Sequence, residues 1–398
     1  MTSLLSFLNS SHSNFLADLA TLVNVDCGTH NKAGVDRVGE WIRARCVAWG
    51  WEVERLPQAD YGDCWIARLH GANERANAGR LMLIGHLDTV YPDGTAAARP
   101  MRFEGNKILG PGVCDMKGGL LVGMYALHAL QAEAFDDFAE IVFFFNSEEE
   151  VGSPVSRSIY SPIAQQMDAA IVFESARANG DIVSARKGSA EYRLTVKGKS
   201  AHAGVEPEKG ANAVIELAHQ LQALYKLNGI APGVTVNPDV IGGGTKSNVI
   251  PDEAWALIDV RAVDAAGAEV ITQVLANWPA QTTVPGTQVA LSGRFSFAPM
   301  AKTPATAKLA QLAKEAARDL GFAINDMATG GASDANTIAG LGVPVIDGLG
   351  PVGGLDHSPD EYIEAESIVP RAALAAELIR KILSEKELGE LKELTADL

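Results

Sequence analysis

The sequence predicts an α/β domain with a mostly parallel sheet, interrupted by a smaller α+β domain, and three observations carry that prediction. Short continuous apolar runs stand at residues 81–85 (LMLIG), 141–145 (IVFFF) and 169–173 (AAIVF). Runs of this length suit strands buried on both faces of a parallel sheet. Between the first two, residues 118–132 (GGLLVGMYALHALQA) read as a packed helix, so strand and helix alternate. After about residue 187 the pattern changes to strict apolar–polar alternation, which marks half-buried antiparallel strands.

Taken in order, residues 14–23 and 35–49 have helical spacing, the second stretch ending at Gly50. The three buried strands and their helix follow. EYRLTVKG then begins the alternating region, a helix is expected over about 208–226, and WALIDVRAV and TQVALSGRFSF alternate again. From about 304 the chain returns to helix (TAKLAQLAKEAARDLG), an apolar strand (VPVIDG) and a last helix from Val369 to about Leu388. The tail EKELGELKELTADL is charged and is expected to fray. The expected boundaries are therefore 1–187 with 298–398 for the α/β domain and 188–297 for the insert.

Composition narrows the function. At 398 residues the chain exceeds one ordinary core, so two domains are the default. A formal net charge of −16 argues against nucleic acid or an anionic membrane as partner. Four cysteines (Cys27, Cys46, Cys64 and Cys114) show no CxxC spacing and read as reduced thiols. MTSLLSFLNSSHSNFLADLA has no basic leader region, and no apolar run reaches the roughly 18 residues of a membrane span, so the expected location is cytoplasmic.

Five metal-ligand candidates stand out. His86 follows LMLIG, Glu150 follows IVFFF and Glu174 follows AAIVF, while Asp115 and His357 lie in Gly-rich turns. In open α/β sheets, reactive residues gather beyond the carboxyl ends of the strands. Taken singly, a histidine or acid after a strand is usually a satisfied polar group, and EEE alone reads as a solvated charge run. Five together suit Zn²⁺, or less well Mn²⁺ or Co²⁺, held as two ions if one carboxylate bridges them. Two such ions about 4 Å apart would polarise a carbonyl and acidify a water. Glu149 is left over as a base. GGGTKS has Thr245 where a phosphate loop needs glycine, and neither G-x-S-x-G nor H-E-x-x-H occurs.

Together the segments GHLDTVYPDG, GPGVCDMKGG, NSEEEVGS, FES, GKSAHAGVEPEKGANAV, GGASDAN and LDHSPDEYI resemble the M20 family of co-catalytic dizinc peptidases and deacylases. The resemblance spans about residues 14–384, and HxDTVY, GPGxxDxKGG and GRxxF bring it nearest to the glutamate carboxypeptidase group. It implies a zinc-aminopeptidase-type catalytic domain with a ferredoxin-like dimerisation insert, hence a homodimer. It implies two Zn²⁺ per subunit, His86 and Glu174 holding one and Glu150 and His357 the other, with Asp115 bridging. Glu149 would be the general base, and Asp88 would orient His86. His202 would stabilise the oxyanion, commonly in the partner's site, and Asn248 would bind substrate. Arg294 in SGRFSF would grip a substrate carboxylate, with Lys187, Ser189, Gly331 and Ser333 lining the pocket. Arg261 is expected in a structural ion pair, and Glu148 stands where the family often has Asp. The implied reaction is hydrolysis of an N-acyl amino acid or short peptide releasing a C-terminal amino acid, glutamate above all. Aminoacylase, dipeptidase and deacylase activities are the alternatives, followed by a non-catalytic binding protein on the same scaffold.

Overall fold

A computed structural model describes residues 3–72, 78–278 and 282–396. The chain divides into two compact units: Met1–Ala185 with Lys302–Ala328 and Ser333–Leu398, and Arg186–Ala301 with Thr329–Ala332. The return of residues 329–332 to the second unit has no local sequence signal. It rests on non-local bonds such as Lys187 N to Thr329 O (3.1 Å) and Arg186 Nη1 to Gly331 O (2.9 Å).

The first unit is built on a six-stranded sheet ordered Glu52–Leu56, Cys64–His70, Glu140–Asn146, Arg80–His86, Ala169–Val172 and Val345–Ile346. The last four run parallel; the first two join antiparallel at one edge. Successive strand residues point to opposite faces. Leu81, Leu83, Phe143, Phe145 and Ile171 thus enter a large core with the helices Ser3–Val23, Gly118–Ala132, Pro304–Asp319 and Ile368–Leu383. Met82, Ile84, Val142, Phe144 and Ala170, of opposite parity, are also buried. Both faces are therefore covered, as continuous apolar runs require. Gly118–Ala132 is buried almost all round, which explains a sequence with no polar stripe.

Two expectations need correction here. The first helix begins at Ser3, eleven residues before the expected start, because Leu4 and Leu8 extend its buried stripe. The charged tail forms a helix, Glu385–Ala396, instead of fraying. Its Leu388 and Leu391 are buried, and Lys308 pairs with Glu387 (2.5 Å) and Glu390 (2.6 Å). A three-residue spacing puts both leucines on one side of an otherwise charged helix.

The second unit has the order strand, helix, strand, strand, helix, strand. Its antiparallel sheet runs Thr235–Gly243, Glu253–Ala262, Gly188–Lys197, Gln288–Phe297. That is the ferredoxin-like arrangement. Alternate residues (Tyr192, Leu194 and Val196; Ala256, Ile258 and Val260) form a core with Leu217, Leu224, Ile271 and Leu275 of the helices Ala213–Tyr225 and Ala265–Ala276. The first of these helices starts later than expected. Pro207–Lys209 makes a separate 3₁₀ turn, and Asn212 caps the helix by accepting from Val214 N and Ile215 N. Among the described residues, no helix is long and apolar enough to cross a membrane.

Candidate metal centre

Parallel register aligns the carboxyl ends of the strands. His86 sits opposite Asn146, and Ile84 opposite Val172, so His86, the turn after Asn146 and Glu174 meet at one sheet edge. Asp115 reaches this edge from a turn in which Gly112 is left-handed (φ 72°), and a Cβ there would lie 2.6 Å from Thr89 Cγ2. The Asp115–Met116 peptide is cis. His357 completes the group from a loop in which it and Leu355 are left-handed (φ 62° and 61°). Such conformations are uncommon outside glycine and collect at functional sites.

Asp115 stands between the two imidazoles. Its Oδ1 lies 2.9 Å from His86 Nε2 and its Oδ2 3.2 Å from His357 Nε2. Glu174 Oε1 is 3.7 Å from His86 Nε2, and Glu150 Oε2 is 3.3 Å from His357 Nε2. His86 turns Nδ1 to the carbonyl oxygen of Asp88 (3.0 Å), so Nε2 faces the cluster.

Electrostatics match this crowding. Burial pushes Glu149 well above the usual carboxylate range, with His86 opposing and Glu174, Asp334 and Glu150 adding to the rise. Burial and Asp115 push Glu150 up to about 7. Hydrogen bonds to Asp115 and Glu150 hold His357 up to about 10. Burial works against a charged His86, yet bonds to Asp115 and Asp88 raise it well above its ordinary value. Carboxylates gathered at one point thus favour protons on the imidazoles. Metal ions binding here would displace those protons.

The donor set fits such ions. Glu150 Oε1 is buried with no hydrogen-bond partner among the described residues, a costly state unless something binds it. Ligand atoms of His86, Asp115 and Glu150 lie within 4.8 Å of one another, as do those of His86, Glu149 and Glu174. All five expected ligands and Glu149 are therefore brought together.

Three buried acids, none of them singled out as a ligand, hold the two turns in place. Asp88 accepts from Thr29 Oγ1 (2.6 Å), Glu149 N (3.1 Å) and Glu150 N (3.3 Å). Asp334 accepts from Asn146 Nδ2 (2.7 Å), Ser153 Oγ (2.7 Å) and Tyr160 Oη (2.9 Å), tying both ends of the EEE turn together. Glu361 accepts from Gly112 N (2.9 Å), Cys114 N (2.8 Å), Asp115 N (3.0 Å) and Tyr91 Oη (2.7 Å), fixing the turn beneath Asp115. Sequence reasoning missed Asp334 and Glu361. The only local hint was an acid inside GGASDAN and another four residues past His357. Glu148 accepts from Val155 N (3.1 Å) and Ser156 N (2.6 Å), securing the next helix, Ser156–Ala164.

The profile of peptidase family M20/M25/M40 matches residues 82–381. The chain belongs to that family. Carboxypeptidase G2 of Pseudomonas sp. (strain RS-16) is 32% identical over 91% of this chain and 87% of its own. A succinyl-diaminopimelate desuccinylase of Stenotrophomonas maltophilia (strain R551-3) is 27% identical over 86% of this chain and 92% of its own. The fold matches Bacillus subtilis YXEP, described as a dinuclear metal-binding M20 peptidase, with a TM-score of 0.69 at 15% identity, covering 94% of this chain and 99% of that one. The M20 chain is thus a hydrolytic enzyme of the metallopeptidase and amidohydrolase kind.

The remaining expected residues of this M20 chain are placed as follows. His202 and Asn248 are exposed side by side in the second unit, where Ala203 N donates to Asn248 O (3.0 Å) and Ile250 N to Ala201 O (2.9 Å). Arg294 is exposed on the edge strand, opposite Glu191. Arg261 pairs with Asp259 at 2.9 Å. Ser333, expected to line the pocket, is buried. It caps the helix Asp334–Gly340 and donates to Asp347 Oδ2 at 2.7 Å.

Proposed function

We propose that the enzyme hydrolyses an amide bond and releases a C-terminal amino acid, glutamate in preference, from an N-acyl or peptidyl substrate. The observation that carries this reading is Asp115 set between His86 and His357, with Glu149 beside them on a turn pinned by Asp88. His86 and Glu174 would hold one divalent ion, Glu150 and His357 the other, and Asp115 both, zinc being the metal this donor set suits. Bound ions supply Lewis-acid polarisation of the scissile carbonyl and an acidified water. Glu149, held well above the usual carboxylate range by desolvation, takes a proton from the attacking water and returns it to the departing amine.

His202 and Asn248, on adjacent segments paired through their backbones, would offer an imidazole and an amide to the oxygen that becomes negative. Arg294 supplies a guanidinium for the α-carboxylate of the released residue. Arg294→Ala is expected to lower kcat/KM about 10–100-fold, mostly through KM, since charge-assisted hydrogen bonds contribute about 1.5–3 kcal/mol.

In the second unit Thr235–Gly243 is an open sheet edge with Ile241 66% exposed, and the neighbouring helix exposes Ile215 and Tyr225. This supports a homodimer through the insert. Glu361→Ala is expected to weaken metal binding about 10–100-fold, measured by chelator competition, because the turn beneath Asp115 loses its anchor.

The decisive experiment is a hydrolysis screen of N-acyl amino acids differing only in the released residue, with zinc added. Preference for glutamate supports the carboxypeptidase reading. Preference for another residue replaces it with a different deacylase or dipeptidase activity on the same centre.

A further inference from the structure

Beside the ligand cluster lies a cavity of about 470 Å³ that the roles above leave unused. Glu150 and Val151 bound it on one side, and segments around Thr29–Asn31 and Val90–Asp93 on the others. Glu150 belongs both to this cavity and to the ligand cluster, so whatever fills it lies against the reacting centre.

The chemistry of the lining is one-sided. No lysine or arginine is among the lining residues. Its polar side chains are largely committed elsewhere. Thr29 Oγ1 donates to Asp88 (2.6 Å), Asn31 Nδ2 to Asp93 (2.6 Å), and Tyr91 Oη to Glu361 (2.7 Å). The exposed hydrophobic groups are Val90 (42% exposed) and Val151 (44%). Its one acid outside the ligand cluster, Asp93, carries the wrong sign for an anion. A carboxylate drawn in here would lose water and find neither lysine nor arginine, His30 being the one imidazole of the lining, which is unfavourable. The released amino acid bears such a carboxylate, so that half of the substrate belongs elsewhere. The acyl half remains. A volume within the range of small-molecule pockets far exceeds what an acetyl group needs.

We propose that this cavity binds the acyl portion of the substrate and selects an uncharged, apolar group larger than acetyl; the inference rests on the hydrolytic reading above. It separates this enzyme from a desuccinylase, whose acyl group ends in a second carboxylate.

The test is steady-state hydrolysis by the zinc-loaded enzyme of four substrates that share one released residue and carry acetyl, butyryl, hexanoyl or succinyl groups. Each added methylene is expected to raise kcat/KM about fourfold, the factor equivalent to 0.8 kcal/mol. N-hexanoyl should therefore exceed N-acetyl on the order of 100-fold, and N-succinyl should fall at least about tenfold below N-butyryl. Val90→Lys, which places a cation on the rim, should raise the succinyl-to-butyryl ratio about tenfold and leave preference for the released residue unchanged. An acyl series with no size dependence, or succinyl equal to butyryl in the unaltered enzyme, overturns the inference alone. So does a Val90→Lys variant that shifts preference for the released residue. No turnover of any substrate overturns the hydrolytic reading, and this inference with it.

Discussion

Glu149→Ala is expected to lower kcat about 10²–10⁴-fold while two metal ions stay bound. Its main chain is fixed by Asp88, so truncating the side chain leaves the turn in place. The loss then falls on proton transfer, both from water and to the amine. Two groupings of ligand atoms bear on this result, because those of Glu149, His86 and Glu174 lie within 4.8 Å of one another, as do those of Glu150, His86 and Asp115. The base reading is preferred because Glu150 has the partnerless buried oxygen and the contact with His357. Metal content by elemental analysis, measured beside kcat, decides between them. Loss of one ion in the variant would make Glu149 a ligand, and ordinary turnover with two ions would end its assignment as base.

Asp115→Ala should have the largest effect on the metal centre. Its two oxygens face different imidazoles, so one truncation removes a donor from both positions. Metal affinity is expected to fall by more than the roughly 10–100-fold typical of losing an outer partner, and turnover with it. The metal-free protein also changes. Burial favours a neutral Asp115, but bonds from His357 and His86 reverse this and hold its carboxyl well below the usual range. A depressed carboxyl contributes stability above its ordinary titration range, lost as pH falls through the folded value. The metal-free variant should therefore lose stability relative to the parent near neutral pH, and the gap should close in strong acid, as read by thermal unfolding across pH.

How much was legible in the sequence followed the physics of each element. His86, Glu150 and Glu174 could be read because each follows a run too apolar to be anything but a buried strand. Parallel pairing then aligned their ends. Asp115 and His357 were flagged by glycines, and Gly112 does lie in the left-handed region. Asp334 and Glu361 were invisible because their partners lie far away along the chain and a buried carboxylate's role depends on donors no local pattern reveals. The last helix was hidden by charge, since two leucines suffice to dock it. Ser333 shows a use the motif did not announce. A polar residue in a suggestive motif was needed by the fold, as a cap.

The anchoring of two ligand turns by residues far downstream also bears on the order of events during synthesis. The EEE turn emerges with Glu148 and Asp88 already made, but Asp334 and Glu361 come only after the whole second unit. Glu361 follows Glu150 by roughly 210 residues, a delay of about 10–40 s at ordinary rates of translation. Through most of that interval the nascent chain carries four of its five ligands while the turn beneath Asp115 lacks Glu361. Metal capture is therefore expected late in the life of each molecule, since a chain cut short before residue 334 would carry most of the ligands without the hold of Asp334 and Glu361.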